Sequence, residues 1–404
     1  MVELDCSELA HRGLGVGRHR GMVVFTFGLL PGERARVRVS QVRRRHAFAE
    51  VEELLQESPD RVSPPCPYFG RCGGCQLQHL AYPQQLQAKR MVLTRALERA
   101  GVAMPPEVEL VSSPDQWRYR WRGEFHRAQG EPGLGFVQRS STAVLGVVDC
   151  LIHHSTITQA LGALARPLPE LGPAVTNLQL TAGEGGELLV GPRPRSAAAA
   201  LLAAADPHLL ADVALTDEAT SWIYRGRSFR IFPDSFVQVN RSTLEPLYEG
   251  VIAWLGPEVR GGHVIDAYGG LGMLSLRLAD IAARVTVLES NPVAARLCQL
   301  HAQMHQLSRV EVVCGPVETE LPRCDPAEAV VLDPPRAGLS PPVRGWLSLA
   351  GPRTLVYLSC EVSGLARDLG TLCRLGPYRL DQLRLVDMFP QTYHFESVAL
   401  LRRA

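Results

Sequence analysis

At 404 residues, with 46% hydrophobic and 21% charged residues, the chain is too long for one ordinary core and too apolar for wholesale disorder, so two or three folded domains are expected. A net charge of +1 gives no overall basic field, so any contact with a polyanion has to be sought in local clusters. No apolar run is long enough to cross a bilayer, and the start MVELDCSELAHRG lacks a basic segment followed by an apolar core; a cytoplasmic protein with no membrane partner, whose cysteines stay reduced, is expected.

From the N-terminus, residues 1–57 read as short alternating strands separated by glycine turns, one of them at Pro31-Gly32, and a small β-barrel is expected there. Nearly every cation is arginine, Lys89 being the one lysine. Two stretches concentrate them, RARVRVSQVRRRHAF from Arg34 and WRYRWRGEFHR from Trp117. Guanidiniums interleaved with aromatic and β-branched residues suit phosphate contact with base stacking, and equally suit a solvated strand face. The prolines of SPDRVSPPCP break the chain and open a central domain, residues 58–225. Helical spacing over residues 76–101 sets Leu86, Met91, Leu93 and Leu97 on one side, with Gly101 as the stop. Short strands such as GELLVGPRP and an alanine-rich helix over residues 197–205 follow.

Within the central domain, CPYFGRCGGC gathers Cys66, Cys72 and Cys75, with Gly73-Gly74 to bend the chain. Three reduced thiols so close are best used by a metal centre. Zinc sites favour two separated cysteine pairs, whereas three close thiols with one remote suit a four-iron four-sulfur cluster; spacing alone leaves both open.

Residues 226–404 change texture. HVIDAYGGLGMLSLRLA, RVTVLESNPVAARL, RVEVVCG, AVVLDPPRAGL and TLVYLSCEV are apolar strands, most followed by a helical stretch, and this gives an α/β fold with an open parallel sheet. Ligands of such sheets bind at the carboxyl ends of the strands, where Asp266, Glu289, Asp333 and Cys360 stand. A glycine turn at Gly269-Gly270-Leu271-Gly272 opens a helix, and Glu289 can accept from both hydroxyls of a ribose. Ser275 replaces the third glycine of a dinucleotide fingerprint, and an acid before the loop repels a pyrophosphate but welcomes a sulfonium; S-adenosylmethionine is favoured over NAD. In VLDPPR, Asp333 precedes a rigid proline pair suited to a planar ring, and a carboxylate there fits methylation of an exocyclic amine less well than an asparagine would.

A cysteine ending the strand of VYLSCEV is a small core hydrophobe or a nucleophile. Carbon 5 of uracil is not nucleophilic enough to attack a sulfonium methyl group, but addition of a thiolate to carbon 6 makes it so. A base must then remove the proton from carbon 5 before the thiol leaves. DMFPQTYHFESVALL sets His394 and Glu396 just before the final strand, and Glu396, with Phe395 and Val398 for neighbours, is the candidate carboxylate base.

With these residues in this order, the chain resembles the RNA uracil-5 methyltransferase family, in particular its bacterial ribosomal-RNA branch, over nearly its whole length. The resemblance implies a Rossmann-like class I methyltransferase domain over residues 226–404, an N-terminal OB-like TRAM barrel over 1–57 and a central α+β iron-sulfur domain. CPYFGRCGGC is similar to the family's cluster motif, so Cys66, Cys72, Cys75 and the remote Cys150 are the implied ligands of a 4Fe-4S cluster. FVQVN implies that Gln238 contacts S-adenosylmethionine, together with Tyr268, Glu289 and Asp333; Cys360 is the implied nucleophile and Glu396 the implied base. The implied activity is 5-methyluridine formation in structured RNA, foremost 23S rRNA, by a monomer. Two places depart from the family pattern: Glu361 and Val362 follow the nucleophile where Asn or Asp and then Pro are usual, and Met273 ends the glycine loop where Asn is common. A transfer-RNA uridine-5 methyltransferase, and an RNA-binding protein that has lost its chemistry, are the rival readings.

Overall fold

Alternation in the first 56 residues produces six strands, Val2–Asp5, Glu8–Leu9, Leu14–His19, Met22–Phe27, Arg34–Val42 and His46–Gln56, joined in one curled sheet in the order first, fifth, sixth, fourth, third, second. A computed structural model of the chain describes residues 1–128, 133–173, 175–210 and 212–403. Leu4, Val24, Leu29, Val37 and Ala49 fill the barrel. Gly17 is required by close approach: a Cβ there would lie 2.5 Å from the Asp5 carbonyl.

The helix of the central segment runs Tyr82–Arg99, starting later than its spacing predicts, and its buried stripe is Gln85, Lys89, Leu93 and Leu97. Met91, expected inside, is exposed. Successive steps of four keep these residues on one face, and two of the four are polar because that face meets hydrogen-bonding groups of the chain's last loop as well as a core. Beyond it, Arg122–Arg127, Leu134–Val137, Val144–Gly146, Asn177–Ala182, Leu188–Arg193 and Leu215–Thr216 form a second six-stranded sheet. Helix Ser155–Ala165 packs on it through Ile157, Leu161 and Leu164.

The C-terminal sheet has eight strands. Val310–Cys314, Arg284–Glu289, His263–Ala267, Ala329–Leu332 and Thr354–Ser359 are parallel neighbours in that order, followed by Glu396–Arg403 running antiparallel and then Tyr378–Val386. The eighth strand is Val108–Val111, which pairs with Leu383–Val386. Leu93, Leu97 and Val102 share a core with Ile265, Val330 and Leu355. Residues 82–111, grouped by sequence texture with the central segment, therefore complete the C-terminal sheet and cover one of its faces. Hairpin Thr220–Ile231 likewise straddles position 225 and buries Trp222, Phe229 and Ile231 against the other face.

Candidate active site

Three acids stand at the carboxyl ends of three adjacent strands, as the sequence suggests. Asp266 lies in His263–Ala267, Glu289 ends Arg284–Glu289, and Asp333 follows Ala329–Leu332. Asp266 is buried and accepts from Ser275 Oγ at 2.5 Å. Burial pushes its carboxyl up to about 7, the Ser275 bond opposing and Asp333 and Glu289 adding. Burial pushes Asp333 up to about 6. Between the first two strands the chain turns through Tyr268, whose φ of 67° is left-handed and whose amide donates to the Leu288 carbonyl at 2.8 Å. A Cβ on Gly269 would meet Val287 at 2.4 Å, and the Gly270 amide donates to Glu289 Oε2 at 2.9 Å. Backbone and three carboxyl groups thus face one crevice, a wall suited to hydroxyls and to positive charge. Gln238 is buried in the segment Phe236–Asn240 that enters the C-terminal domain, and Met273 packs into the core with no polar task there.

Cys360 stands one residue past Thr354–Ser359. Because Ser359 pairs with Ser397 in the antiparallel register, the next step brings Cys360 opposite Glu396, which begins the last strand rather than preceding it. Ser397 Oγ donates to the Ser359 carbonyl at 3.0 Å, and Ser359 Oγ donates to the Glu361 carbonyl at 3.0 Å. The Glu361 carboxylate accepts the Gly364 amide at 2.9 Å and caps helix Val362–Leu369. A hydroxyl and a carboxylate hold the turn where the family pattern has proline. Glu396 is 3% exposed; burial and then Asp333 hold its carboxyl well above the usual range, with Arg336 opposing. Burial pushes the Cys360 thiol up to about 12, Glu396 and Asp333 adding and Arg336 opposing. Both groups therefore hold their protons more tightly than usual, and Arg336 is the cation that opposes both shifts. His394 is pushed down to about 4 by burial, Arg336 and Arg120, so its ring is neutral at pH 7.

The loop from Asp387 to Phe395, which delivers His394 and Glu396, is gripped by residues remote from it in the chain. Lys89 Nζ donates to Asp387 Oδ1 at 2.6 Å and to the Phe389 carbonyl at 3.0 Å. Asn240 Nδ2 donates to the Met388 carbonyl at 3.1 Å, and Tyr119 Oη to the Pro390 carbonyl at 2.9 Å. Gln85 and Gln391 bond reciprocally: Nε2 of Gln85 donates to Oε1 of Gln391, and the Gln391 amide donates to Oε1 of Gln85, both at 3.0 Å. The amides of Gln76 and Leu77 close on the Gln391 carbonyl at 3.1 and 2.9 Å.

Cys66, Cys72, Cys75 and Cys150 line one cavity of about 260 Å³. A Cβ on Gly73 would lie 2.8 Å from the Val137 carbonyl, so the glycine pair lets the thiol loop lie against the central sheet. Cys150 Sγ is 3.1 Å from His153 Nδ1, while His153 Nε2 is buried without a partner. Among the described residues no three His, Cys, Asp or Glu side chains are grouped to hold a metal ion.

The two arginine-rich stretches part company. In the first, Arg34, Arg36 and Arg38 are paired across strands with Glu3, Glu53 and both Glu50 and Glu52. Arg43, Arg44 and Arg45 at the tip are exposed beside Phe25, His46 and Phe48, whose ring centroids lie 5.2–5.7 Å apart. The second stretch turns inward: Arg118 pairs with Asp149, Arg122 donates to the Pro233 carbonyl at 2.7 Å, and Tyr119 is buried. Phosphate contact is available to the tip of the first and largely withdrawn from the second. The barrel also reaches the mouth of the crevice, where His11 Nε2 lies 3.6 Å from Glu361 Oε1 and its ring 5.2 Å from that of Tyr393.

Family profiles match in three places: one described as TRAM domain over residues 2–51, one described as tRNA (Uracil-5-)-methyltransferase over 323–404, and one described as conserved hypothetical protein 95 over 220–340. The 23S rRNA (uracil(1939)-C(5))-methyltransferase RlmD of Dichelobacter nodosus is 35% identical, the match covering 98% of this chain and 97% of that one. Its counterpart from Shewanella amazonensis is 31% identical over 99% and 95%. The chain belongs to the RNA uracil-5 methyltransferase family. The crystal structure of Pyrococcus abyssi tRNA (uracil-54, C5)-methyltransferase with S-adenosyl-L-homocysteine shares the fold, with a TM-score of 0.75 at 24% identity over 99% of this chain and 100% of that one. As a uracil-5 methyltransferase the protein uses S-adenosylmethionine. Among the described residues no helix is long and apolar enough to cross a membrane.

The sequence reading missed several groups at this site. Tyr248 is buried near Asp333, Tyr224, Asp266 and Glu396, and burial foremost holds its hydroxyl proton. It hides in the apolar face Leu244, Leu247, Val251 and Leu255 of helix Leu244–Val259, where a tyrosine reads as core. Gln85 and Lys89 were hidden for the opposite reason, since polar residues on an amphipathic helix read as its wet side.

Proposed function

We propose that the protein methylates carbon 5 of a uridine in 23S rRNA by covalent cysteine catalysis. The observation that carries this reading is the strand register that sets Cys360 opposite Glu396 in a crevice lined by Asp333 and Arg336. The relatives named for 23S rRNA that match nearly the whole chain, barrel included, support the substrate.

Gln238, Tyr268, Glu289 and Asp333 hold S-adenosylmethionine, which when bound supplies an electrophilic methyl group. Cys360 Sγ gives up its proton to solvent and adds as the thiolate to carbon 6 of the uracil; the displaced π electrons let carbon 5 take the methyl group, leaving S-adenosylhomocysteine. Once carbon 5 carries both methyl and hydrogen, the Glu396 carboxylate takes that proton; the C–H pair becomes the 5,6 double bond and the sulfur–carbon bond breaks. A uracil in a stacked helix cannot present carbon 6 to a thiol inside a crevice, so the target is turned out of its stack. The barrel tip Arg43–Arg45 with Phe25, His46 and Phe48 holds flanking RNA by phosphate contact and stacking.

Cys66, Cys72, Cys75 and Cys150 would hold a 4Fe-4S cluster; four thiols around one cavity, three of them within a single loop, fit it. The cluster would supply a covalent brace between that loop and Cys150. Methyl transfer moves no electrons, so a brace is all the reaction asks of it.

The test is tritium release from RNA labelled at uracil carbon 5, with ribosomal and transfer RNA side by side. Release from 23S rRNA alone is expected. Release from transfer RNA alone would move the substrate, and none from either would leave an RNA-binding protein.

A second expectation follows from the raised acids. Between pH 5.5 and 8 Asp333 and Asp266, at about 6 and about 7, gain negative charge in the empty protein. A sulfonium favours that charge and a neutral thioether does not. Calorimetric titrations should therefore show the preference for S-adenosylmethionine over S-adenosylhomocysteine growing about tenfold from pH 5.5 to 8. A pH-independent ratio would separate these carboxyls from the sulfonium.

A further inference from the structure

Glu396 is fixed on its C-terminal side by the sheet, since its strand is paired on both edges. On its N-terminal side the sheet holds only the ends of the nine residues from Asp387 to Phe395: the Asp387 amide donates to the Val111 carbonyl at 2.8 Å and the Met388 amide to the Val386 carbonyl at 2.9 Å, and Met388 and Phe395 pack into its two cores. The remaining grip comes from Lys89 on Asp387 and Phe389, Asn240 on Met388, Tyr119 on Pro390, and Gln85 with the Gln76 and Leu77 amides, which converge on Gln391. Two of these, Gln85 and Lys89, lie one helical turn apart on Tyr82–Arg99, are 1% and 2% exposed, and interrupt an otherwise apolar stripe. Burying two polar side chains on a helix face costs free energy unless their bonds are made; Lys89 makes both of its bonds to the loop, while Gln85 holds Gln391 through Nε2 and Oε1 and also donates to the Leu77 and Leu80 carbonyls at 3.1 and 2.9 Å, tying the loop to the Gln76–Leu80 segment. Gln391, the residue Gln85 holds by both backbone and side chain, has a φ of 69°, a conformation disfavoured for glutamine without such support.

We propose that Gln85 and Lys89 are positioning residues for the proton-abstraction half of the reaction: they set the loop Asp387–Phe395 and through it the aim of the Glu396 carboxylate. Addition by Cys360 is governed by the Ser359–Glu361 turn and helix Val362–Leu369; helix Tyr82–Arg99 packs against that helix, but the side-chain hydrogen bonds of Gln85 and Lys89 go to the loop and to Leu77 and Leu80, not to the turn. The two halves of the cycle are therefore separable. The inference rests on the covalent mechanism proposed above with Glu396 as its base.

Two variants test it. Gln85→Met removes the polar end at nearly constant size, and Gln391→Gly removes the partner side chain while suiting a positive φ, so the second keeps the test valid where the first unfolds. Each is assayed in single turnover for methyl transfer into RNA and for release of the RNA from the protein, alongside Glu396→Gln. Methyl transfer within about threefold of the parent, with release slowed about 100-fold and a methylated covalent complex accumulating, is expected, since small misplacements of a catalytic group cost on this order. Equal losses in both steps, or parental rates in both, overturn the positioning role. Failure of Glu396→Gln itself to accumulate the complex would instead remove the base assignment beneath it.

Discussion

Replacing Cys360 with alanine removes product and covalent adduct together, lowering methyl transfer by about 10⁴-fold or more. The expectation is this large because nothing else in the crevice can add to carbon 6. Asp333 and Glu396 offer only carboxyl oxygens, poor nucleophiles towards carbon 6 in either protonation state; the His394 ring is packed against Tyr393 and Phe389 with centroids 4.0 and 5.9 Å away; and the Arg336 guanidinium has no lone pair to give. The thiol itself starts protonated, pushed up to about 12. Its addition is therefore coupled to loss of a proton, and Arg336, which opposes that rise, is the group that favours the thiolate. The measurement is a denaturing gel of protein with labelled RNA, read beside tritium release. Full activity in the alanine variant would end the nucleophile assignment and return Cys360 to the core.

Glu396→Gln should have the opposite appearance: methyl transfer proceeds, but the adduct persists and turnover falls by about 10²- to 10⁴-fold, the range a positioned base contributes. An amide cannot take the carbon 5 proton, so the sulfur–carbon bond has no route to break. The parent enzyme should also resolve faster as pH rises, because only the carboxylate acts as base and burial holds the carboxyl well above its usual range. That rise should vanish in the glutamine variant. Turnover intact without an accumulating complex would take Glu396 out of the mechanism.

Much of this arrangement is legible in the sequence. Each apolar strand of the C-terminal domain ends where its polar residue is read, because a strand buried on both faces leaves a continuous hydrophobic signal that stops at the crevice. The thiol loop is legible in part: Cys66, Cys72 and Cys75 leave a local spacing to read, whereas Cys150, which lines the same cavity, comes only through the family resemblance. What sequence texture conceals is contact across the chain. Helix Tyr82–Arg99 is amphipathic in the expected sense, yet its inner face begins with Gln85 and Lys89, and no rule of period separates a polar residue facing water from one facing a loop 306 and 298 residues away. The stretch from Trp117 misleads for a related reason: guanidiniums beside aromatic rings look like an RNA strip, but Arg122 is buried with Nη2 on the Pro233 carbonyl, and Arg241 stacks over Trp121 at 4.4 Å. Glu361 is a departure whose consequence is visible only in place, as a helix cap that also faces His11 of the barrel.

The eighth strand of the C-terminal sheet and the helix before it have a consequence for how the chain is made. Val108–Val111 and the stripe ending in Leu93 and Leu97 leave the ribosome long before the strands they complete, and at 5–20 residues per second the 298 residues between Lys89 and Asp387 take roughly 15 to 60 s to translate. For that interval the growing chain carries an apolar helix face and an unpaired strand edge, and Lys89 has no counter-charge. The barrel and the thiol loop can close on local contacts meanwhile, but the catalytic crevice is completed last, when the final strands meet the helix and strand made in the first third of the polypeptide. A ribosome halted before the final strands would thus release a protein able to hold RNA at one end and prone to aggregate at the other.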